Sequence, residues 1–314
     1  LQRYRLYATY ILFLVPFVAI GIPTLAVALQ IGLGICAAFT LRRCVLRLHG
    51  TSVQADLVFA LFLLAYPIQI WTLALYSESF FVSLSILFLA EALRTDRTLF
   101  RLLILAMLLT FARPVGILFV APVLVWRVME NSGKVRILWI WAAGTALLLA
   151  ILFLPVHGLD QLRVVVEGHT IGGFPKYPED GSLFHGSTLA DAQFQLIRDH
   201  GLGSWIGVVL QRIAWFFSLW RPYFSNFHNV LILPFLVIYP LALLTLFRRW
   251  KKTPFVQVLT AILLLNAIVV GLTYSEWNGR FVVPLLPVIM LLAVLSIPAW
   301  KAQRPPMSLS HERS

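Results

Sequence analysis

FVQVLTAILLLNAIVVGLT, residues 255–273, is nineteen residues long and holds no charged side chain. Coiled as an α-helix rising ~1.5 Å per residue, such a run is roughly 28 Å long, close to the ~30 Å of bilayer hydrocarbon. A helix apolar on every side must be buried in protein or in lipid. The rest of the chain decides between these. Comparable runs recur at 24–41, 53–75, 79–93, 98–112, 115–129, 136–156, 229–247 and 281–299, which makes nine spans with brief polar breaks. Two further segments read as either spanning or interfacial: 6–22, which ends before Pro23, and WIGVVLQRIAWFFSLW at 205–220, which carries Arg212 and five aromatic residues. The expected architecture is an all-α polytopic membrane protein, a single domain over 1–314 with a loop of short helices at 157–228.

Composition agrees. Of 314 residues 60% are hydrophobic and 12% charged, and the mean hydropathy is +0.87. Soluble domains carry about 25% charged residues, and no water-soluble fold has enough interior for the surplus apolar surface. The formal charge of +12 does not call for a nucleic-acid partner, because Lys and Arg fall in short clusters between apolar runs. Cys36 and Cys44 are too few and too badly placed for a disulfide framework or a metal site, and read as packing residues.

Those clusters set the expected orientation. Arg42, Arg43 and Arg47, then Arg94, Arg97 and Arg101, Arg127, Lys134 and Arg136, Arg248, Arg249, Lys251 and Lys252, and Lys301, Arg304 and Arg313 occupy alternate connections. By the positive-inside rule these are cytoplasmic, the C-terminus included. The turns at 76–78, 113–114 and 275–280 and the stretch 157–228 then face outward from a plasma (inner) membrane. In that stretch acids (Asp160, Glu167, Glu179, Asp180, Asp191, Asp199) are mixed with bases (Arg163, Lys176, Arg198, Arg212, Arg221). GGFPKYPEDGS (172–182) is dense in turn residues, whereas STLADAQFQLIRDHG (187–201) reads as a short helix capped by Ser187 or Thr188 and stopped by Gly201.

An ionisable group at the centre of a span costs about 2.5 to 3.5 kcal/mol on insertion scales, and less near its ends. Three such groups stand out: Glu78 in ALYSESFFVSLSILF, Arg113 in LLTFARPVGILFV and Arg280 in YSEWNGRFVVPLLPVIM. Charge counting puts all three at outer helix ends. A bare Glu78–Arg113 ion pair stitching two hairpins is one reading. The other is a polar chamber in which arginines meet an anionic headgroup, since guanidinium stays charged on burial and offers a planar fork to phosphate oxygens. Tyr76 in the same turn, Glu276 beside Arg280, and His169 and Lys176 in the outer loop are further candidates for substrate contact; Glu276 is open to three roles, holding a hydroxyl, holding a divalent metal ion or neutralising Arg280. His157, His185, His200 and His228 have no zinc spacing, and there is no Gly-rich phosphate loop, nucleophile elbow or zinc-protease signature.

The order of these features resembles the GT-C glycosyltransferase superfamily, particularly the branch of protein O-mannosyltransferases and aminoarabinose transferases, and is similar also to the GPI-type mannosyltransferases. TLRRCVLRLHG (40–50), AYPIQIWTLALYSESFF (65–81), LLTFARPVGILFVAP (108–122), the long outer loop and GRFVVPLLPVIMLL (279–292) carry the likeness over almost the whole chain. It implies transfer of a sugar, with inversion, from a polyprenyl- or dolichyl-phosphate carrier to a glycan, lipid or protein acceptor on the outer face. Arg280 would contact the carrier phosphate, with Glu78 and Arg113 shaping the same chamber. Two departures matter. The family's general base, an Asp in the first outer loop, has no counterpart here, and Phe281 stands where a Tyr often follows the last Arg. Residues 6–22 align with the helix that closes that loop, so a first span and most of the loop are expected upstream, and the chain as it stands is expected to bind poorly or be inactive; no residue is named as catalytic base. Other classes are a transporter or flippase for lipid-linked glycans, which requires polar residues through the depth of the bundle, and a non-catalytic assembly subunit.

Overall fold

The computed structural model describes residues 7–94, 99–129, 135–156, 159–177, 186–276 and 278–298. Arg97, Lys134, His157, Glu179, Asp180, His185, Lys301, Arg304 and Arg313 lie outside the described residues, as do the side chains of Arg136 and Asp160. Among the described residues the fold is all-helical, with only isolated β-bridges.

A hairpin of α1 (Ala8–Ala19) and α2 (Pro23–Arg47) turns at Gly21, and is followed by α3 (Ser52–Leu64), the single turn α4 (Tyr66–Gln69) and α5 (Ser77–Ala92). Next come α6 (Leu99–Thr110), α7 (Gly116–Val128) and α8 (Val135–Phe153). The stretch expected as a loop holds α9 (Leu159–Val166) and α10 (Leu189–Phe217). The chain then runs through α11 (Asn226–Leu236) and α12 (Ile238–Arg249), α13 (Pro254–Leu272), and a short 3-10 turn at Val283–Leu285 leading into α14 (Leu286–Ser296).

Three helices are long and apolar enough to cross a membrane: α2, the continuous pair α11–α12, and α13. The other apolar runs form shorter helices. The 53–75 run breaks at Ala65 (ψ 89°): in a continuous helix Pro67 would have no N–H for the Leu63 carbonyl and its ring would clash there, so it starts a new turn instead of extending α3. The protein is thus a helical membrane protein whose core is walled by its own helices. Every residue of α14 is buried, as are fourteen of the sixteen in α5, and these two helices, enclosed on nearly every side, are the centre of the bundle. Serines on α5 are tolerated there because Ser83 and Ser85 donate to the carbonyls of Ser79 (3.0 Å) and Val82 (2.7 Å) of their own helix.

The two ends of the bundle differ. At one end Arg47 donates to Ala90 O at the close of α5, Gln54 donates to Ile297 O beyond α14, and Arg42 pairs with Asp56. Helix direction puts Arg94, Arg127 and the 248–252 cluster at that same basic end. The opposite end gathers the start of α5, the α6–α7 turn, the close of α13 and the whole of α9–α10.

Two expectations about the 157–228 stretch can be set against the structure here. Gly201 does stop the first helix: at φ 81° and ψ 158° it leaves helical geometry and kinks α10 into two arms, the second helix beginning at once. Trp205 Nε1 donates to Gln193 Oε1 (2.6 Å) across the fold. For 205–220, left open between spanning and interfacial, the contacts favour the second. Gln193 on the first arm and Arg212 on the second both donate to the last carbonyls of α13, those of Leu272 (2.6 Å) and Gly271 (3.3 Å), so both arms lie over one end. Thr188, not Ser187, is the N-cap, in a reciprocal box with Asp191.

Candidate functional site

Glu78 opens α5, and its first-turn position puts a carboxylate where helix N–H groups favour negative charge. Arg113 is delivered by the tight reversal between α6 and α7. Gly116 N donates to Arg113 O (2.9 Å), and a side chain at Gly116 would run into the Leu109 carbonyl, so only glycine lets the chain turn this closely. Arg280 follows Gly279, whose φ of +70° sharpens the turn between the end of α13 and the 3-10 entry to α14.

These three groups meet. Arg113 Nη1 lies 3.0 Å from Glu78 Oε1 and Arg280 Nε lies 3.9 Å from the same oxygen. Glu276 Oε2 accepts from Arg280 Nη2 at 3.4 Å, the i,i+4 partner across the turn. Glu78 and Arg113 are sealed, with side chains 3% and 5% exposed, whereas Arg280 is 34% exposed and is the face this cluster shows to the outside. The bonding is incomplete: Arg113 Nε and Arg280 Nε have no hydrogen-bond partner among the described residues, and Arg113 Nη1 meets Glu78 as an ion pair without hydrogen-bond alignment.

A further cation adjoins them. Arg221 is fully buried, its guanidinium over the Trp215 ring at 5.0 Å, and Nη2 donates to the Glu276 carbonyl at 3.4 Å. Its Nε and Nη1 have no partner among the described residues, and burial holds its pKa below the usual arginine value. Glu276 therefore stands between Arg221 on its backbone side and Arg280 on its carboxylate side. Two guanidinium groups face two carboxylates, and a third, that of Arg221, joins the same turn through a backbone carbonyl, which leaves one positive charge in excess. Sequence reading counted Arg221 only as part of a mixed loop. Its setting between Trp220 and Pro222 was the available signal, because a charged residue enclosed by bulky apolar neighbours is one that folding tends to bury.

The remaining candidates sit elsewhere. Tyr76 is half exposed and packs edge-on against Trp71. Lys176 is exposed over the Tyr177 ring, and its backbone N–H is held by Glu167 O. His169 is buried beside Glu167 (Nε2–Oε2 2.7 Å), which also accepts from Arg163 at 2.8 Å. Burial pushes the Glu167 carboxyl up, but the bonds from Arg163 and His169 outweigh it and hold the group below the usual carboxylate range. The loop bearing these residues is docked onto the Arg280 turn through Gly172 N to Ser275 O (2.8 Å) and Ser275 N to Thr170 O (3.2 Å). Arg212 fixes it from below, donating to His169 O, Val165 O and Gly271 O, with burial bringing its guanidinium down to about 10. Glu276, open to a metal from sequence, is committed to Arg280, and no cluster of three His, Cys, Asp or Glu side chains exists among the described residues.

No family model, curated protein or solved structure matches the chain.

Proposed function

We propose that the chain is a GT-C-like glycosyltransferase that takes a sugar from a polyprenyl- or dolichyl-phosphate carrier and passes it, with inversion, to an acceptor on the extracytoplasmic face. The proposal includes nine crossings, an active face directed outward from the plasma (inner) membrane, and a cytoplasmic C-terminus. One observation carries it: the sparse charges of an apolar bundle gather at one end, where Arg113 and Arg280 meet Glu78 and Glu276 and Arg221 adjoins the same turn, with the Nε groups of all three arginines unbonded among the described residues. A phosphate oxygen is the natural partner for such groups. In the displacement an acceptor oxygen bonds to the anomeric carbon as the bond to the carrier phosphate breaks, and that electron pair stays on the phosphate. A fixed cation such as Arg280 in a poorly hydrated site stabilises the growing charge. The acceptor proton leaves to a base that no residue of this chain is assigned to supply.

The transporter reading draws less support. Gln69, Gln257 and Asn266, the polar groups expected along the spans, donate to nearby carbonyls at Phe62, Trp250 and Ile262, and Gln30 donates to Ala74 O at the charged end. They form no polar path through the bundle's depth. The test is mass spectrometry of lipid that copurifies with the protein, together with sugar transfer by membranes. Polyprenyl-phosphate lipid is expected with the full-length wild type and lost from full-length Arg280→Ala, whose membrane insertion stays normal and whose transfer falls at least a hundredfold. Near-normal lipid retention and transfer by Arg280→Ala would refute the phosphate role.

A further inference from the structure

At the basic end, α12 passes to α13 through a corner of residues 249–253, and the RRWKK run at 248–252 places four cations in five positions. Phe247, Arg248, Trp250, Lys251 and Lys252 line an open cavity of about 550 Å³ there. Its lining contains three cations and no carboxylate, and none of the three has an ion-pair partner among the described residues. The corner is rigid. Lys252 and Thr253 N–H groups both donate to Arg249 O at 3.0 Å, Trp250 N donates to Leu246 O at 3.1 Å, and Gln257 Nε2 donates to Trp250 O at 3.0 Å. Those bonds also occupy carbonyls at the helix terminus that would otherwise repel an anion.

The lip of the cavity decides what kind of anion fits. Phe247 is 84% exposed on a helix long enough to span, and Val237 (57%), Pro240 and Leu243 (54%) continue its exposed stripe along α12. The cavity therefore opens onto hydrocarbon on one side and onto water on the other. A soluble anion would use only the cations; an amphiphile uses both walls. We propose that this corner binds the headgroup of an anionic phospholipid, its phosphate among Arg248, Lys251 and Lys252 and its acyl chain along Leu243 and Phe247. This site is separate from the Arg280 cluster and does not depend on the reading given to that cluster.

Native mass spectrometry of the whole protein, equilibrated with equal phosphatidylglycerol and phosphatidylcholine of matched chains, tests the assignment. The wild type is expected to retain phosphatidylglycerol at least tenfold in preference. Lys251→Gln/Lys252→Gln should abolish that preference, whereas Arg43→Gln/Arg101→Gln, which removes equal charge from exposed positions at the same end, should keep it. All four positions are exposed, so each variant is expected to fold, and an unchanged gel-filtration profile checks this. Equal loss in both variants would reduce the effect to general surface charge and overturn the site, as would an unchanged preference in the first. Displacement of the lipid by millimolar inorganic phosphate would overturn the lipid assignment in favour of a soluble anion.

Discussion

Glu78 has two guanidinium neighbours and almost no water, and this defines the chemistry open to it. Removing the charge from one member of a buried pair leaves the other uncompensated, which costs about 3 to 5 kcal/mol, while the intact pair adds little net stability. Glu78→Gln should therefore lower the thermal midpoint in detergent sharply, because Arg113 is sealed and has no other carboxylate partner among the described residues. Exchanging the two, Glu78→Arg with Arg113→Glu, should recover most of that midpoint yet not transfer, since Arg280 then faces a cation. Recovery of transfer along with stability would show that the pair is purely structural. That these residues share one level was legible from sequence, because charge counting alone fixed which helix ends carry them. Arg221 was legible only in part: bulky Trp220 and Pro222 beside it hint at burial, but the ring it packs on, Trp215, six residues back, and the Glu276 turn, fifty-five residues on, meet it only through folding.

The helices of the 157–228 stretch show how far local signals reach. Ser187 or Thr188 announced a helix start and Gly201 its stop, and both hold, but where the helix that follows Gly201 packs depends on a surface to fold against. Here the close of α13 supplies it. Gly201 adopts a conformation open to few residues other than glycine, so Gly201→Ala should strain the hairpin by about 1 to 3 kcal/mol. Loss of the Trp205–Gln193 bond would report it, read as a red shift in the fluorescence of Trp205 against a Trp205→Phe background; an unshifted spectrum would mean the fold-back does not require glycine. The same stretch should be acid-sensitive. The folded pKa of Glu167 is depressed, so its contribution is complete above the unfolded carboxylate value of about 4.3 and is lost as pH falls through the lower folded value. Protection factors over 159–177, corrected for the intrinsic pH dependence of amide exchange, should fall in that acidic window, and Glu167→Gln should remove this change, with protection low at every pH.

For the whole molecule the open physical question is how many times the chain crosses the bilayer. Apolar periodicity gave nine runs because hydropathy reads composition, and composition does not register that Pro67 cuts one run short. At thirteen residues α3 is ~20 Å long, short of ~30 Å of hydrocarbon, so it crosses only with the α4 turn and residues 70–76 completing the path. Single cysteines at Arg43, Tyr76, Lys176 and Lys251, all exposed, introduced after Cys36 and Cys44 are replaced by alanine, separate the cases. If α3 with its extension crosses, and α5 to α8 cross as two hairpins, positions 76 and 176 react with a membrane-impermeant maleimide from one side, and 43 and 251 from the other. Should 43 and 76 react from the same side, α3 does not cross. The basic cluster at 42–47 and the Glu78 junction would then share a face, and the separation of a cationic end from a phosphate-binding end would fail as an account of the bundle.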